Sequence, residues 1–291
     1  MSARKKLYHQ IASILDLVEP LIPRREVIDF GDGVAWQWRS DRYASGLKHI
    51  PRLNKIGLDD LKHIDHQKSL LVRNTRQFLS GLPANNALLW GPRGTGKSSL
   101  VKAIINAFGE QGLKLIEVER DDLIELPRII DCISESDPKQ AYKYLIFCDD
   151  LSFDDKDTTY RALKVVLDGS VLSTPDNILI YATSNRRHLV PEKQRDNLDA
   201  KFDGDGEIHQ SEAVEERISL SERFGLWISF HPFNQERYLE IVEHWLHAFN
   251  ETLNEEARRA ALQWALLHGS RSGRSAQQFA RDWAGQQQLK Q

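Results

Sequence analysis

Apolar positions along the chain fall into three successive patterns. Leu7, Ile11, Ile14, Leu15 and Val18 recur at helical spacing, and Pro20 and Pro23 end that helix. Val34 to Trp38 then alternates apolar and polar residues like a strand, with Trp36 and Trp38 on one face, either as ordinary packing or as a partner surface. The Gly-, Ser- and Pro-containing stretch from Ser45 to Pro51 marks a soft boundary, and Asp65 to Leu79 reads as a helix ending at Gly81. The second pattern is an alternation. Short apolar runs at Ala87–Trp90, Leu113–Val118, Tyr144–Asp149, Asn177–Thr183 and Leu226–Phe230 are expected strands. Between them lie helices: Leu100, Val101, Ile104, Ile105 and Phe108 form a stripe closing at Gly109, Asp121–Ile133 is disturbed by Pro127, and Thr158–Leu167 follows. Near-continuous apolar strands separated by helices predict a doubly wound parallel sheet covered on both faces, an α/β fold. Beyond Pro232 the spacing is helical throughout. Tyr238 to Phe249, Asn254 to His268 and a segment from Gly273 through Trp283 predict a C-terminal helical lid. The expected division is an N-terminal extension over 1–55, a core over 56–232 and a lid over 233–291.

Composition narrows this little. The 291 residues are 41% hydrophobic and 28% charged, as in a globular domain. The formal net charge of −3 gives no bulk sign of nucleic-acid binding, leaving only a local patch. Two cysteines, Cys132 and Cys148, without a C-x-x-C pair, suit a reducing cytoplasm. No apolar run approaches a membrane span, and the basic start at Met1–Lys6 has no apolar run behind it as a secretory signal would.

Chemistry enters with one contiguous stretch. Gly91, Pro92, Arg93, Gly94, Thr95, Gly96, Lys97 and Ser98 fit G-x-x-x-x-G-K-[ST], between an expected strand and an expected helix, with Ser99 continuing into the helix. Glycines let backbone N–H groups converge on phosphate oxygens, and the helix N-terminus adds unpaired N–H groups and a positive dipole end. Lys97 is expected on the β- and γ-phosphates and the Ser98 hydroxyl on Mg²⁺, so ATP and Mg²⁺ are the expected cofactors.

Hydrolysis also needs a metal-holding acid and a group that handles water. Asp149 ends an apolar strand and Asp150 follows it. In a parallel sheet ligands gather at the carboxyl ends of the strands, so Asp149 is expected to hold Mg²⁺ and Asp150 to polarise water. Asp154 and Asp155 read as caps of the next helix. Asn185, after Ala182-Thr183-Ser184, either reaches the γ-phosphate or forms a turn. Arg223, before the last strand, is either a finger directed at a neighbour's nucleotide or a surface ion-pairing residue. Two sets are set aside as metal sites. His63, Asp65 and His66, like His244 and His247, lack further ligands. Lys201 to Glu212 places Asp203, Asp205, Gly206 and Glu212 at calcium-loop spacing, but Lys201 cannot coordinate, and Asn197–Gln210 reads as a mobile polar loop.

Together these residues resemble an AAA+ ATPase from about Ile56 to Trp283. Gly91–Ser98 is similar to Walker A and Leu145–Asp150 to Walker B. Asn185 is similar to sensor 1, Arg223 to the arginine finger before Phe224-Gly225, and Arg274 to the sensor-2 arginine of the last lid helix. More narrowly, Asn85–Gly91, Ser219–Gly225 and Arg271–Ala276 resemble a bacterial AAA+ subfamily known only as a domain of unknown function. The resemblance implies a P-loop NTPase that binds ATP between core and lid, with Arg274 on the phosphates. It also implies a homo-oligomer, with a ring as one form it could take, completed by Arg223 or by its rival Arg217. The output would be remodelling of an unidentified macromolecular partner. AAA+ motors usually carry Asp-Glu where this chain has Asp149-Asp150. Asp-Asp resembles initiators and loaders, which act more as slow, DNA-linked switches.

Overall fold

A computed structural model describes residues 27–40, 45–153, 159–168, 175–187, 189, 201–202, 208–209 and 219–289. The expected helix over Leu7–Val18, Asp154, Asp155, Arg217 and the calcium-spaced Asp203, Asp205, Gly206 and Glu212 lie outside the described residues.

The strands are β1 (Ala35–Ser40), β2 (Ser45–His49), β3 (Ala87–Trp90), β4 (Leu113–Val118), β5 (Lys143–Cys148), β6 (Ile178–Ser184), β7 (Lys201–Phe202), β8 (Ile208–His209) and β9 (Leu226–Ser229). The helices are α1 (Asp65–Leu79), α2 (Lys97–Phe108), α3 (Leu126–Ser136), α4 (Thr159–Asp168), α5 (Gln235–Ala248), α6 (Glu255–Leu267) and α7 (Gly273–Leu289). Seven strands form one sheet in the order β2-β1-β4-β5-β6-β3-β9. Every neighbouring pair is parallel except β1–β2. β7 and β8 pair antiparallel by themselves, within the stretch whose composition reads as polar loop.

Alternation along the strands sends side chains to two separate cores. Ala87 and Leu89 of β3 and Leu145 and Phe147 of β5 pack with α1, α2 and the lid. Leu88 of β3 and Tyr144, Ile146 and Cys148 of β5 pack with α3 and α4 on the opposite face. This two-sided burial is why the strands read as continuous apolar runs rather than alternating ones.

Two expectations need correction, and one open reading is decided. The boundary at residue 55 cuts the sheet: β1 lies on its N-terminal side yet pairs in parallel with β4, Trp36 opposite Ile116. Trp36 and Trp38 are each 2% exposed, so of their two readings it is ordinary packing that the fold uses. The helix expected from Asp121 begins as a 3-10 turn over Arg120–Glu125, and α3 starts only at Leu126 with Pro127 in its first turn. Proline has no N–H to donate, and the first helical turn asks for none.

The lid helices are capped by Asn234 and Asn254, whose side chains accept from Arg237 N at 2.9 Å and Ala257 N at 2.8 Å. Small residues at the crossing, Ala257, Ala261, Ala276 and Ala280, are fully buried and let α5, α6 and α7 approach closely. Among the described residues no helix is long and apolar enough to cross a membrane.

Candidate functional site

The order of the sheet decides where the chemistry gathers. β3 lies between β6 and β9, while the chain leaves β3 for the distant β4. That reversal opens a crevice at the carboxyl ends of β3, β5 and β6. The register sets Trp90 opposite Ser184 and Cys148 opposite Ala182, so the loop after Trp90, the acids after Cys148 and the polar end of β6 meet there.

The loop after β3 turns where a Cβ is excluded. At Gly91 φ is +141°, and an added Cβ would lie 2.2 Å from the Phe230 carbonyl oxygen. At Gly94 φ is +76°, and an added Cβ would lie 2.6 Å from the Ser272 Cβ. Gly273 N donates to Gly94 O at 2.9 Å, so the start of α7 sits on this loop. Ser272 caps α7, its Oγ accepting from Ser275 N at 3.1 Å.

Lys97 is buried at the first turn of α2. Its Nζ donates to the carbonyls of Gly91 at 2.6 Å and Pro92 at 2.8 Å, and to Asn185 Oδ1 at 3.1 Å. Burial pulls its pKa down to about 8, against the opposing pull of Asp150 and Asp149. Arg93 and Arg274 lower it further, which puts both guanidinium groups in the field of the same ammonium.

The two acids sit differently. Asp149 Oδ1 accepts from Ser98 Oγ at 2.6 Å and from Thr183 Oγ1 at 2.5 Å. Asp150 stands in the left-handed region at φ +53°, a conformation that Asp tolerates better than most residues. Its N–H donates to Thr183 Oγ1 at 2.9 Å. Its carboxylate accepts from Asn185 Nδ2 and faces Arg93 Nη2 at 3.4 Å. Burial pushes the adjacent Cys148 thiol up to about 12, so it stays protonated and inert.

These groups line a cleft of about 400 Å³. Arg93, Lys97, Ser98, Ser99, Asp149, Asp150, Asn185 and Arg274 are all in its wall. Apolar side chains, Ile56, Leu61, Ile64, Phe233, Ile241 and Trp245, line it too. A lining that combines cations and polar groups with apolar side chains suits the mixed chemistry of a nucleotide. The segment before α1 is tied to the lid across this cleft: His63 Nε2 meets Glu240 Oε2 at 2.9 Å, and His244 Nε2 meets Asp60 Oδ1 at 3.1 Å. These histidines therefore have carboxylate partners. Among the described residues no group of three or more His, Cys, Asp or Glu could hold a metal ion.

Arg223 is elsewhere. Its Nε pairs with Asp168 at the end of α4 and its Nη1 donates to Ser219, and it does not line the cleft. Sequence reasoning passed over Thr183, Ser272 and the two histidine–carboxylate ties. Only the run of polar residues ending an otherwise apolar strand pointed toward Thr183.

Comparison with known proteins bears on the family and the fold. A family described as "Protein of unknown function (DUF815)" matches residues 32–287. Among curated proteins, the ATP-dependent zinc metalloprotease FtsH 1 of Conexibacter woesei is 26% identical over 186 residues, covering 57% of this chain and 27% of that protein. The Replication factor C large subunit of Ignicoccus hospitalis is 40% identical over 80 residues, covering 27% of this chain and 16% of that protein. The chain thus spans about a quarter or less of the length of the curated relatives it matches. Among solved structures, the Aeropyrum pernix ORC1 protein in complex with DNA aligns with TM-score 0.54 at 14% identity, covering 79% of this chain and 61% of that one. The FIGL-1 AAA domain in complex with ADP aligns with TM-score 0.50 at 18% identity, covering 79% and 73%. The fold is that of the AAA+ P-loop ATPases, and, matched over most of its length, the chain belongs to the DUF815 family.

Proposed function

We propose that this protein binds ATP with Mg²⁺ in the cleft between core and lid, hydrolyses it, and uses the cycle to remodel a macromolecular partner. One observation carries the reading: the Ser98 hydroxyl and the Asp149 carboxylate are hydrogen-bonded at 2.6 Å, in the wall of one cleft that Lys97 also lines. Ser98 and Asp149 supply hard oxygen donors, the chemistry Mg²⁺ takes, and are the residues that would hold it. The metal would neutralise charge on the β- and γ-phosphates. Lys97 would exchange its bonds to the Gly91 and Pro92 carbonyls for phosphate oxygens. Arg274 would bind the phosphates from the lid. Asp150 would accept a proton from the attacking water, with Asn185 orienting it. Ile241 and Trp245 would cover the base.

Arg223 is proposed to complete the site of a neighbouring copy, making the working form a homo-oligomer. Its position away from the cleft of its own chain is compatible with that role. Two free thiols support a reducing, cytoplasmic setting.

A second reading is favoured by the surroundings of Asp150. Its carboxylate is engaged by Asn185 and by Arg93, so handling an attacking water would cost it one of these contacts and slow turnover. On that reading the chain is an ATP-held switch or loader, in which a nucleic-acid partner remains open. Steady-state ATPase assay beside titration of a fluorescent ATP analogue tests both. Binding with turnover supports the remodelling ATPase, and binding with little turnover the switch. Equal affinity in wild type and Lys97→Ala overturns the site itself.

A further inference from the structure

We infer that Thr183 is a positioning residue for the metal and water chemistry, its single hydroxyl orienting both acids of the site. The inference rests on the ATP reading above and adds to it a residue outside the phosphate loop and the acidic pair.

Thr183 Oγ1 lies 2.9 Å from Asp150 N and 2.5 Å from Asp149 Oδ1. The backbone N–H can only donate, so the hydroxyl oxygen must accept there. An ionised carboxylate can only accept, so the one hydroxyl proton must go to Asp149. The assignment leaves no alternative rotor. Thr183 is 1% exposed, so water has little access to replace either bond. β6 adds to the hold. Leu151 N donates to Thr183 O at 2.7 Å, and Ser184 Oγ donates to Leu151 O at 2.7 Å. The turn carrying Asp150 at φ +53° is thereby pinned on both sides of its strained residue.

Two consequences follow for the site. Asp149 Oδ1 accepts hydrogen bonds from both Ser98 and Thr183, which orients the carboxylate. Asp150 keeps its carboxylate at the cleft because its backbone is held through the same hydroxyl. Loss of the hydroxyl removes a bond from each acid at once. Serine retains the hydroxyl. Valine keeps the shape and loses both bonds.

The test uses full-length Thr183→Val, Thr183→Ser and Thr183→Ala. A fluorescent ATP analogue is titrated in EDTA and over a Mg²⁺ series, and steady-state kcat and KM are measured beside circular dichroism. Thr183→Val is expected to need about tenfold more Mg²⁺ for half-maximal binding, the scale of one lost charge-assisted hydrogen bond. Its affinity in EDTA should be unchanged, and kcat should fall more than KM rises. Thr183→Ser should restore the Mg²⁺ midpoint. If Thr183→Val does not fold, Thr183→Ser against Thr183→Ala decides in the same way. An unchanged Mg²⁺ midpoint in both hydroxyl-free variants overturns the inference, as does an equal loss in EDTA and Mg²⁺, which would mark Thr183 as packing alone. Failure of the wild type to bind the analogue would overturn the ATP reading itself, a result distinct from either.

Discussion

The backbone N–H of Gly273 donates to the carbonyl of Gly94 at 2.9 Å, fastening the first residue of α7 to the middle of the glycine-rich loop after β3. Lid and loop are thereby joined directly, and Arg274, the next residue, lines the cleft. Gly94→Ala tests this contact. Its Cβ would press on Ser272, and φ +76° adds strain of about 1–2 kcal/mol. ATP affinity is expected to fall about tenfold or more. Gly112→Ala is the control, with φ +92° and nothing within 4 Å of its Cβ. It should lose comparable thermal stability yet keep its affinity. Equal affinity in the two variants would mean that the lid contact does not matter to binding.

Lys97 predicts a pH dependence with two opposite signs. Its pKa is lowered from 10.5 to about 8, mainly by burial. The unfolded chain then binds more protons between those values, so the desolvation cost is fully present below about 8 and is relieved as pH rises toward 10.5. The contribution of Lys97 to stability without nucleotide should rise over that window. ATP affinity should fall over it, because the neutral amine no longer attracts phosphate. Lys97→Arg stays charged and should bind more weakly but without this pH step. Parallel affinity curves for the two proteins from pH 7 to 10 would remove Lys97 from the phosphates.

The acids are expected to separate holding from hydrolysis. Asp149→Ala should lose Mg²⁺-dependent binding and activity together, since it removes the partner of both Ser98 and Thr183. Asp150→Asn should keep binding and lose turnover by about 10²-fold or more, because an amide cannot take a proton from water. Wild-type turnover in Asp150→Asn would assign the base to another group.

Arg223 sets the riskiest prediction. Its ion pair with Asp168 accounts for its position by structure alone, and the finger role must show itself between chains. Arg223→Ala and Lys97→Ala should each be nearly inactive. Mixed, they should recover part of the ATPase rate, because some sites then combine an intact loop with an intact arginine. Asp168→Asn should retain activity. No recovery on mixing, with Asp168→Asn as inactive as Arg223→Ala, would reduce Arg223 to a strut between α4 and the approach to β9.

The helix Asp65–Leu79 and the strand Leu113–Val118 match the expected bounds because amphipathic spacing and apolar runs are local properties of the chain. The glycine-rich turn after β3 was legible for the same reason: its glycines, Lys97 and Ser98 are contiguous, and backbone conformation there follows from residue type. Tertiary structure alone decided four placements. It placed β1 in the sheet beside β4, although the composition near Ser45–Pro51 reads as a boundary. It brought the Thr183 hydroxyl to two acids more than thirty positions earlier. It set Gly273 on Gly94, and Arg223 against Asp168 rather than in the cleft. Such pairings follow strand order and helix docking, which reflect the free energy of the whole packed core. Local spacing carries no record of them, so the sequence by itself determined most of the core elements and the glycine-rich turn, and only the fold decided which side chains are hydrogen-bonded to one another.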